Sequence, residues 1–325
     1  MKELFNPDLT EVKTLDASGS WDETKHRFDE KSIWAIRAAL AAERPLLLRG
    51  EPGIGKSQLA HAAAAVLGVP FLSHVMDERS ERDDLLYHHD VVARLAKAQE
   101  LGALREGKDR KTVEEEMAER KFLRPGPMWW AIDWKSAQEQ AADYYGECPA
   151  PESPAEWKPG DGTVVLIDEI DKADPSVPNG LLETLGNRGF ESHRLKEPVR
   201  REEGFRAPLV MITTNEEREL PAAFLRRCLV LTLEFPKTES AAVTFLMERA
   251  RVHWKEKEVG DAICERAAQM IWQDRKGKTP GAAEYLDLIR ALVQLAPGEE
   301  ETQAEVMKEI AEFVLLKAGD QKRER

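Results

Sequence analysis

Gly50-Glu51-Pro52-Gly53-Ile54-Gly55-Lys56-Ser57 is a complete G-x-x-x-x-G-K-[ST] loop, and its flanks decide how the chain folds. Pro45-Leu46-Leu47-Leu48 before it is a short apolar run that predicts a buried strand, and the alanine-rich Gln58 to Leu67 predicts a helix after it. Strand, glycine-rich turn and helix N-terminus in this order make a phosphate cradle. The glycines let backbone N–H groups close around phosphate oxygens, and the helix start adds partial positive charge. Lys56 then reaches the outer phosphate oxygens and the Ser57 hydroxyl is a ligand for magnesium. The binding run extends over Glu51, Pro52, Gly53, Ile54, Gly55, Lys56, Ser57 and Gln58. A glycine-rich turn that binds nothing is the competing reading, and the flanking strand and helix count against it.

Working outward, Thr163-Val164-Val165-Leu166-Ile167 is a second strand, rich in β-branched residues. It runs into Asp168-Glu169-Ile170-Asp171-Lys172-Ala173-Asp174 and so delivers carboxylates to its C-terminal edge, where α/β sheets bind ligands. Asp168 is placed to hold magnesium through its water shell. Glu169, turned differently, can polarise a water that attacks the terminal phosphate. A third strand, Leu209 to Thr214, ends in Asn215, which either forms a turn or meets the same phosphate or water. Leu220-Pro221-Ala222-Ala223-Phe224-Leu225-Arg226-Arg227-Cys228 follows, a helical turn closing on two arginines. A guanidinium lent by a neighbouring copy neutralises charge on a transferring phosphoryl group, worth roughly 10³ to 10⁵ in rate, or about 4 to 7 kcal/mol. Arg226 and Arg227 are read as that finger rather than as a plain basic pair.

The 325 residues suffice for a full α/β core and a second domain, and 42% hydrophobic residues are ordinary for a globular chain. A net charge of −13 argues against general affinity for nucleic acid, which is driven by basic patches. Cys148, Cys228 and Cys264 lie far apart without metal-ligand spacing, which points to a reducing compartment. Met1-Lys2-Glu3-Leu4-Phe5 has no apolar signal region and no stretch of about 18 apolar residues occurs, so a cytoplasmic protein without membrane insertion is expected.

Walker A at 50–57, Walker B at 164–169, a sensor 1 at Asn215 and a finger segment at 220–228, in this order, resemble an AAA+ ATPase. Asp83-Asp84-Leu85-Leu86, Phe122 to Pro127, the Asp168 to Asp174 run and Leu181 to Leu185 resemble, more narrowly, its MoxR-like and dynein-related branch. The resemblance covers about residues 25 to 295. It implies a P-loop NTPase fold: a parallel five-stranded sheet of order 5-1-4-3-2 flanked by helices, over 1–236, with inserts near 88–125 and 190–206. A small all-helical lid over 237–325 follows. It also implies ATP and Mg²⁺ as cofactors, catalytic roles for Lys56, Glu169, Asn215, Arg226 and Arg227, and Phe28 beside the adenine. Sites completed across subunits imply a homo-oligomer, expected as a hexameric ring, and protein clients or partners, among them ones carrying a von Willebrand factor A domain.

Several stretches depart from a minimal core. Between Pro70 to Met76, read as the second strand, and Thr163 lies far more chain than one crossover helix needs. Asp90 to Lys121 carries Val91, Leu95, Leu101, Leu104, Val113 and Met117 at helical spacing amid dense charge. It predicts one or two amphipathic helices; the resemblance implies an insert that faces a central pore or substrate, and a merely decorative hairpin is the alternative. Trp129, Trp130 and Trp134 form a packed helix face or a protein-contacting ridge, the former preferred. His88-His89, read as neighbours on a helix that diverge by about 100°, are taken as surface residues rather than metal ligands. Phe190 to Arg206 reads as a β-hairpin, the most basic stretch of the chain, diluted by Glu191, Glu197, Glu202 and Glu203 and suited to an acidic protein or a neighbouring subunit. Helices are expected over Ala241–Trp254, Asp261–Trp272, Ala282–Leu295 and Glu301–Lys317. Thr279 to Glu284 lacks the arginine that a lid often supplies as sensor 2, and Arg290 lies about two turns further on.

The leading expectation is an ATP-driven remodeller or chaperone of protein partners. A nucleotide-gated switch in a signalling or defence complex is the alternative, and a DNA-associated restriction-type motor is a third reading that the acidic balance disfavours.

Overall fold

The computed structural model describes residues 5–17, 21–103, 110–275 and 280–315. Leu104, Thr279 and the expected helix end at Lys317 lie outside the described residues. Five strands, β1 (Leu46–Gly50), β2 (Phe71–Val75), β3 (Val164–Asp168), β4 (Leu209–Thr214) and β5 (Leu229–Leu233), form a parallel sheet of order β5-β1-β4-β3-β2. That is the expected 5-1-4-3-2. The register sets Val164 beside Leu209 and Phe71, and Asp168 beside Val75.

Central strands of a parallel sheet are covered on both faces and therefore tolerate no polar alternation. Val164, Val165, Leu166 and Ile167 are fully buried, and all six residues of β4 are buried, Thr213 and Thr214 included. β2 lies at an edge and alternates instead, with Leu72 buried between partly open Phe71 and exposed Ser73. The helices of the α/β layer are α1 (Glu30–Ala42), α2 (Lys56–Leu67), α3 (Ser176–Gly186) and α4 (Ala222–Arg227).

Two compact units divide the chain. One comprises Met1–Pro7, Glu30–Leu48 and Ala60–Leu231, and the other Asp8–Asp29, Arg49–Leu59 and Thr232–Arg325. In the first, the three tryptophans belong to the core: Trp129 and Trp130 in the helix Pro127–Ile132, Trp134 at the start of the helix Trp134–Asp143. Trp130 and Trp157 both meet Trp134 edge-on, at 5.0 and 4.6 Å between ring centroids. The packed-face reading therefore holds. Helices Val91–Ala103 and Arg110–Glu116 fill the insert as expected, leaving Val91, Val92 and Leu95 exposed. The helical placement of His88 and His89 is corrected: both lie on a strand, Tyr87–His89, paired antiparallel with Leu123–Pro125. Strand alternation leaves His88 exposed and turns His89 partly inward. Gly189–Phe190 pairs with Val199–Arg200, so the basic stretch is a hairpin.

The second unit is helical. Helices α5 (Glu239–His253), α6 (Asp261–Asp274), α7 (Ala282–Leu295) and α8 (Glu300–Leu315) match the four expected to within about two residues wherever their ends fall among the described residues. They bury Leu246 from α5, Ile263 and Ile271 from α6, Leu288 and Leu292 from α7 and Met307 from α8, residues of their inward-facing stripes. An antiparallel ladder of Lys13–Leu15 with Thr24–His26, unread in the sequence, belongs to the same unit, as does the phosphate-loop segment. Phe28 is buried and its ring meets His26 edge-on at 4.7 Å. Among the described residues no helix is long and apolar enough to cross a membrane.

Candidate functional site

The phosphate loop has the backbone its glycines predict. Gly50 (φ +141°) and Gly53 (φ +73°) adopt conformations that other residues rarely take; a Cβ at Gly50 would overlap the Leu233 carbonyl oxygen, and one at Gly53 would lie 2.5 Å from the Ala283 Cβ. Pro52 and Gly53 are exposed at the tip, while Ile54 is buried in the helical core beside Phe235 and Ala242. Ile54 thereby anchors the turn from below. α2 begins at Lys56, so Gly55, Lys56 and Ser57 stand where the helix leaves its first N–H groups without intrahelical partners. The buried Lys56 ammonium donates to the carbonyls of Gly50 at 2.7 Å and Glu51 at 2.9 Å. Gln58 uses its side-chain amide on Thr24 Oγ1 (3.0 Å) and the Lys25 carbonyl (2.9 Å), tying the loop to the N-terminal ladder.

A residue that sequence reasoning passed over reaches this loop. Arg275, directly after α6, pairs through its guanidinium with the Glu51 carboxylate, donates to the Pro280 carbonyl at 2.8 Å and lies over the Phe235 ring, 4.1 Å from its centroid. Its side chain is only 10% exposed, so the ion pair is far better shielded than a surface one. In sequence it follows Asp274 and precedes Lys276-Gly277, and reads as solvated charge. Arg290, by contrast, is exposed and bonds Asp287 one turn away.

In the first unit the acidic strand end is organised by β4. Thr213 Oγ1 donates to Asp168 and accepts the Glu169 N–H at 2.9 Å, fixing both carboxylate-bearing residues from the neighbouring strand. Glu169 takes a left-handed backbone, φ 58° and ψ 46°, which costs a non-glycine residue about 1–2 kcal/mol. That turn delivers one carboxylate oxygen to Asn215 Nδ2 at 2.9 Å and the other to Lys172 Nζ at 2.6 Å. The hydrogen bond to Glu169 raises the Lys172 pKa above the ordinary lysine value. Buried Asp171 accepts the backbone N–H groups of Asn215 (3.4 Å) and Glu217 (2.9 Å) and so sets the height of the Asn215 loop.

Asp168, Glu169 and Asn215 are thus brought together as the sequence predicted. Thr213, Asp171 and Lys172 complete the cluster without having been assigned roles. Thr213 did carry a signal: a hydroxyl in a fully buried strand must find a partner.

Arg226 and Arg227 end α4 with exposed side chains. Their carbonyls are capped from outside the helix. Arg44 donates to the carbonyl oxygens of Arg226, Arg227 (3.0 Å) and Cys228 (3.4 Å), a cation at a helix C-terminus where the dipole favours it.

Comparison with known proteins places this geometry in a family. The profile described as AAA domain (dynein-related subfamily) matches residues 45–228, from the start of β1 through α4. Midasin of Giardia intestinalis is 39% identical over 56 residues, a match that covers 17% of this chain and 1% of that protein. Among solved structures, a point mutant of RuvB from Thermotoga maritima superposes with a TM-score of 0.45 at 16% identity, covering 87% of this chain and 69% of that one. The Thermotoga maritima RuvB Holliday junction branch migration motor gives 0.44 at 15% identity, covering 86% and 67%. The glycine cradle, the Asp168-Glu169 strand end and the profile match over more than half the chain agree: the chain belongs to the dynein-related subfamily of the AAA+ ATPases.

Proposed function

We propose that the chain binds ATP with magnesium, hydrolyses it in a ring of like subunits, and uses the cycle to remodel protein partners in the manner of MoxR-like proteins. The observation that carries the reading is Glu169, held by Asn215 and Lys172 at the C-terminal end of the central strand. The donor set suits the cofactor. Ser57 and Asp168 offer the hard oxygens that magnesium takes, and the glycines keep Cβ atoms out of the phosphate cradle. Magnesium, when bound, would supply charge neutralisation between phosphates. Lys56 would exchange the Gly50 and Glu51 carbonyls for phosphate oxygens, and Gly53, Ile54, Gly55 and Gln58 would present N–H groups. Glu169 would accept the proton of the attacking water once released from Lys172, while Asn215 keeps its carboxylate oriented. Arg226 or Arg227 would act on the site of the adjacent copy. Exposure of both, on a helix stiffened by Arg44, supports a role in trans.

In this reading residues 1–236 form the nucleotide-binding α/β domain and 237–325 the lid, and the hexamer, the protein client and a von Willebrand factor A partner are parts of the proposal. The test is ATPase rate per subunit against protein concentration, with mass photometry on the same samples, for the natural chain and Arg227→Ala. A rate that climbs as rings form and collapses in the variant is expected. A concentration-independent rate that survives Arg227→Ala overturns the ring mechanism.

A second reading has one observation in its favour. Both Glu169 oxygens are already engaged, as they would be in a nucleotide-gated switch that retains ATP in a stable assembly. Single-turnover kinetics separate the two: partner-stimulated turnover supports the remodeller, and ATP held unhydrolysed supports the switch.

A further inference from the structure

A cavity of about 450 Å³ opens in the first unit, among the C-terminal ends of α1 and α3 and the N-terminal ends of β1 and β4. That is the end of the sheet away from the Asp168-Glu169 edge. Its lining combines apolar Ile132 and Val210 with Arg44, Arg188, Arg201 and Glu43, three arginines against one glutamate in a chain whose net charge is −13. The three arginines are not alike. Arg44 is committed to the α4 carbonyls, and Arg201, with 9% of its side chain exposed, donates to Glu43 at 2.9 Å. The Arg188 guanidinium has no hydrogen-bond or ion-pair partner among the described residues.

Backbone geometry points to the same place. Glu43 and Arg188 both have left-handed backbones, φ 48° and 52°, just after α1 and α3, at positions where helices commonly end in glycine or asparagine. Keeping charged side chains there costs backbone energy, and strain of this kind concentrates at ligand sites. The Glu43 carboxyl is held below the usual carboxylate range by its hydrogen bond from Arg201 and by both the Arg201 and Arg188 charges. Glu43 therefore stands as an internal carboxylate beside cations that it does not saturate.

From this cavity we infer a binding site for a carboxylate-bearing ligand, which bridges Arg188 and Arg201 and displaces Glu43 from Arg201. A bidentate guanidinium–carboxylate fork supplies orientation, and the apolar wall receives the ligand's carbon skeleton. The carboxylate comes from a free di- or tricarboxylate or from an acidic side chain of a protein. The site owes nothing to ATP hydrolysis, and its test runs without nucleotide.

The test is isothermal titration of the full chain at low salt with citrate and, separately, with a hexaglutamate peptide. Saturable binding of citrate identifies a small molecule as the source, and saturable binding of the peptide alone identifies a protein side chain. Either result requires that Arg188→Asn weaken binding at least about tenfold and that Glu43→Gln, which removes the internal competitor, tighten it. Asparagine accepts the left-handed backbone, so the thermal midpoint of Arg188→Asn should not fall, which separates lost binding from lost folding. The inference is overturned if neither probe binds saturably, if Arg188→Asn binds like the natural chain, or if Lys56→Ala abolishes the binding and so moves it to the phosphate loop.

Discussion

Glu169 accepts from two donors at once, so the side chain expected to take a proton from water rests with both oxygens occupied. Lys172 and Glu169 are 36% and 28% exposed, and a pair in that setting is worth about 0.5–1 kcal/mol. Lys172→Met should therefore free the carboxylate and raise turnover about two- to fivefold, read as phosphate release at saturating MgATP. A fall of similar size would mean instead that Lys172 positions Glu169 for the reaction. His26 gives a second prediction at this scale. Burial first, and then the Arg249 charge, pushes its pKa down to about 4. A folded value below the unfolded value of about 6.5 means that the neutral ring stabilises the fold. That contribution is complete above about pH 6.5 and is lost as pH falls towards 4. The thermal midpoint should drop over that window, and His26→Gln should flatten the drop; an unchanged slope in the variant removes His26 from the account.

Elements show which parts of the molecule could be read in advance. Strand β3 and the loop from Gly50 to Ser57 were legible because each needs a local pattern, β-branched burial in one and glycines at fixed spacing in the other. Gly53→Ala, which adds a Cβ 2.5 Å from Ala283 at φ +73°, should lower affinity for a fluorescent ATP analogue by at least about tenfold; unchanged affinity would show that the loop has room to shift. The tryptophans were ambiguous, since three aromatic residues in six positions fit a ridge as well as a core. Tertiary packing decided it: Trp130 is 4% exposed, and Trp130→Ala should cost about 3–5 kcal/mol in urea unfolding. A loss under about 1 kcal/mol would contradict the core placement. His88 and His89 went astray for a physical reason. The strand that holds them is three residues long and exists through its pairing with Leu123–Pro125, more than thirty positions away along the chain, which no local periodicity can report. The Lys13–Leu15 ladder was missed on the same grounds: short strands carry too few residues to establish a period of two.

For the whole molecule, sheet order and the succession from α/β layer to helical unit followed from the resemblance and agree with the structure. What stayed hidden were long-range polar contacts. Arg275 meets Glu51, and Arg44 meets the end of α4, across 224 and 182 to 184 positions of chain, and a lone arginine outside a motif gives no hint of its partner. In the proposed function the phosphate loop binds ATP and Glu169 drives its hydrolysis. This is tested most directly by measuring ATP binding and phosphate release together in the natural chain, Lys56→Ala and Glu169→Gln. Expected are turnover in the natural chain, loss of binding in Lys56→Ala, and in Glu169→Gln retained binding with turnover reduced roughly 10²- to 10⁴-fold. Undiminished turnover in Glu169→Gln, or undiminished ATP binding in Lys56→Ala, would contradict it.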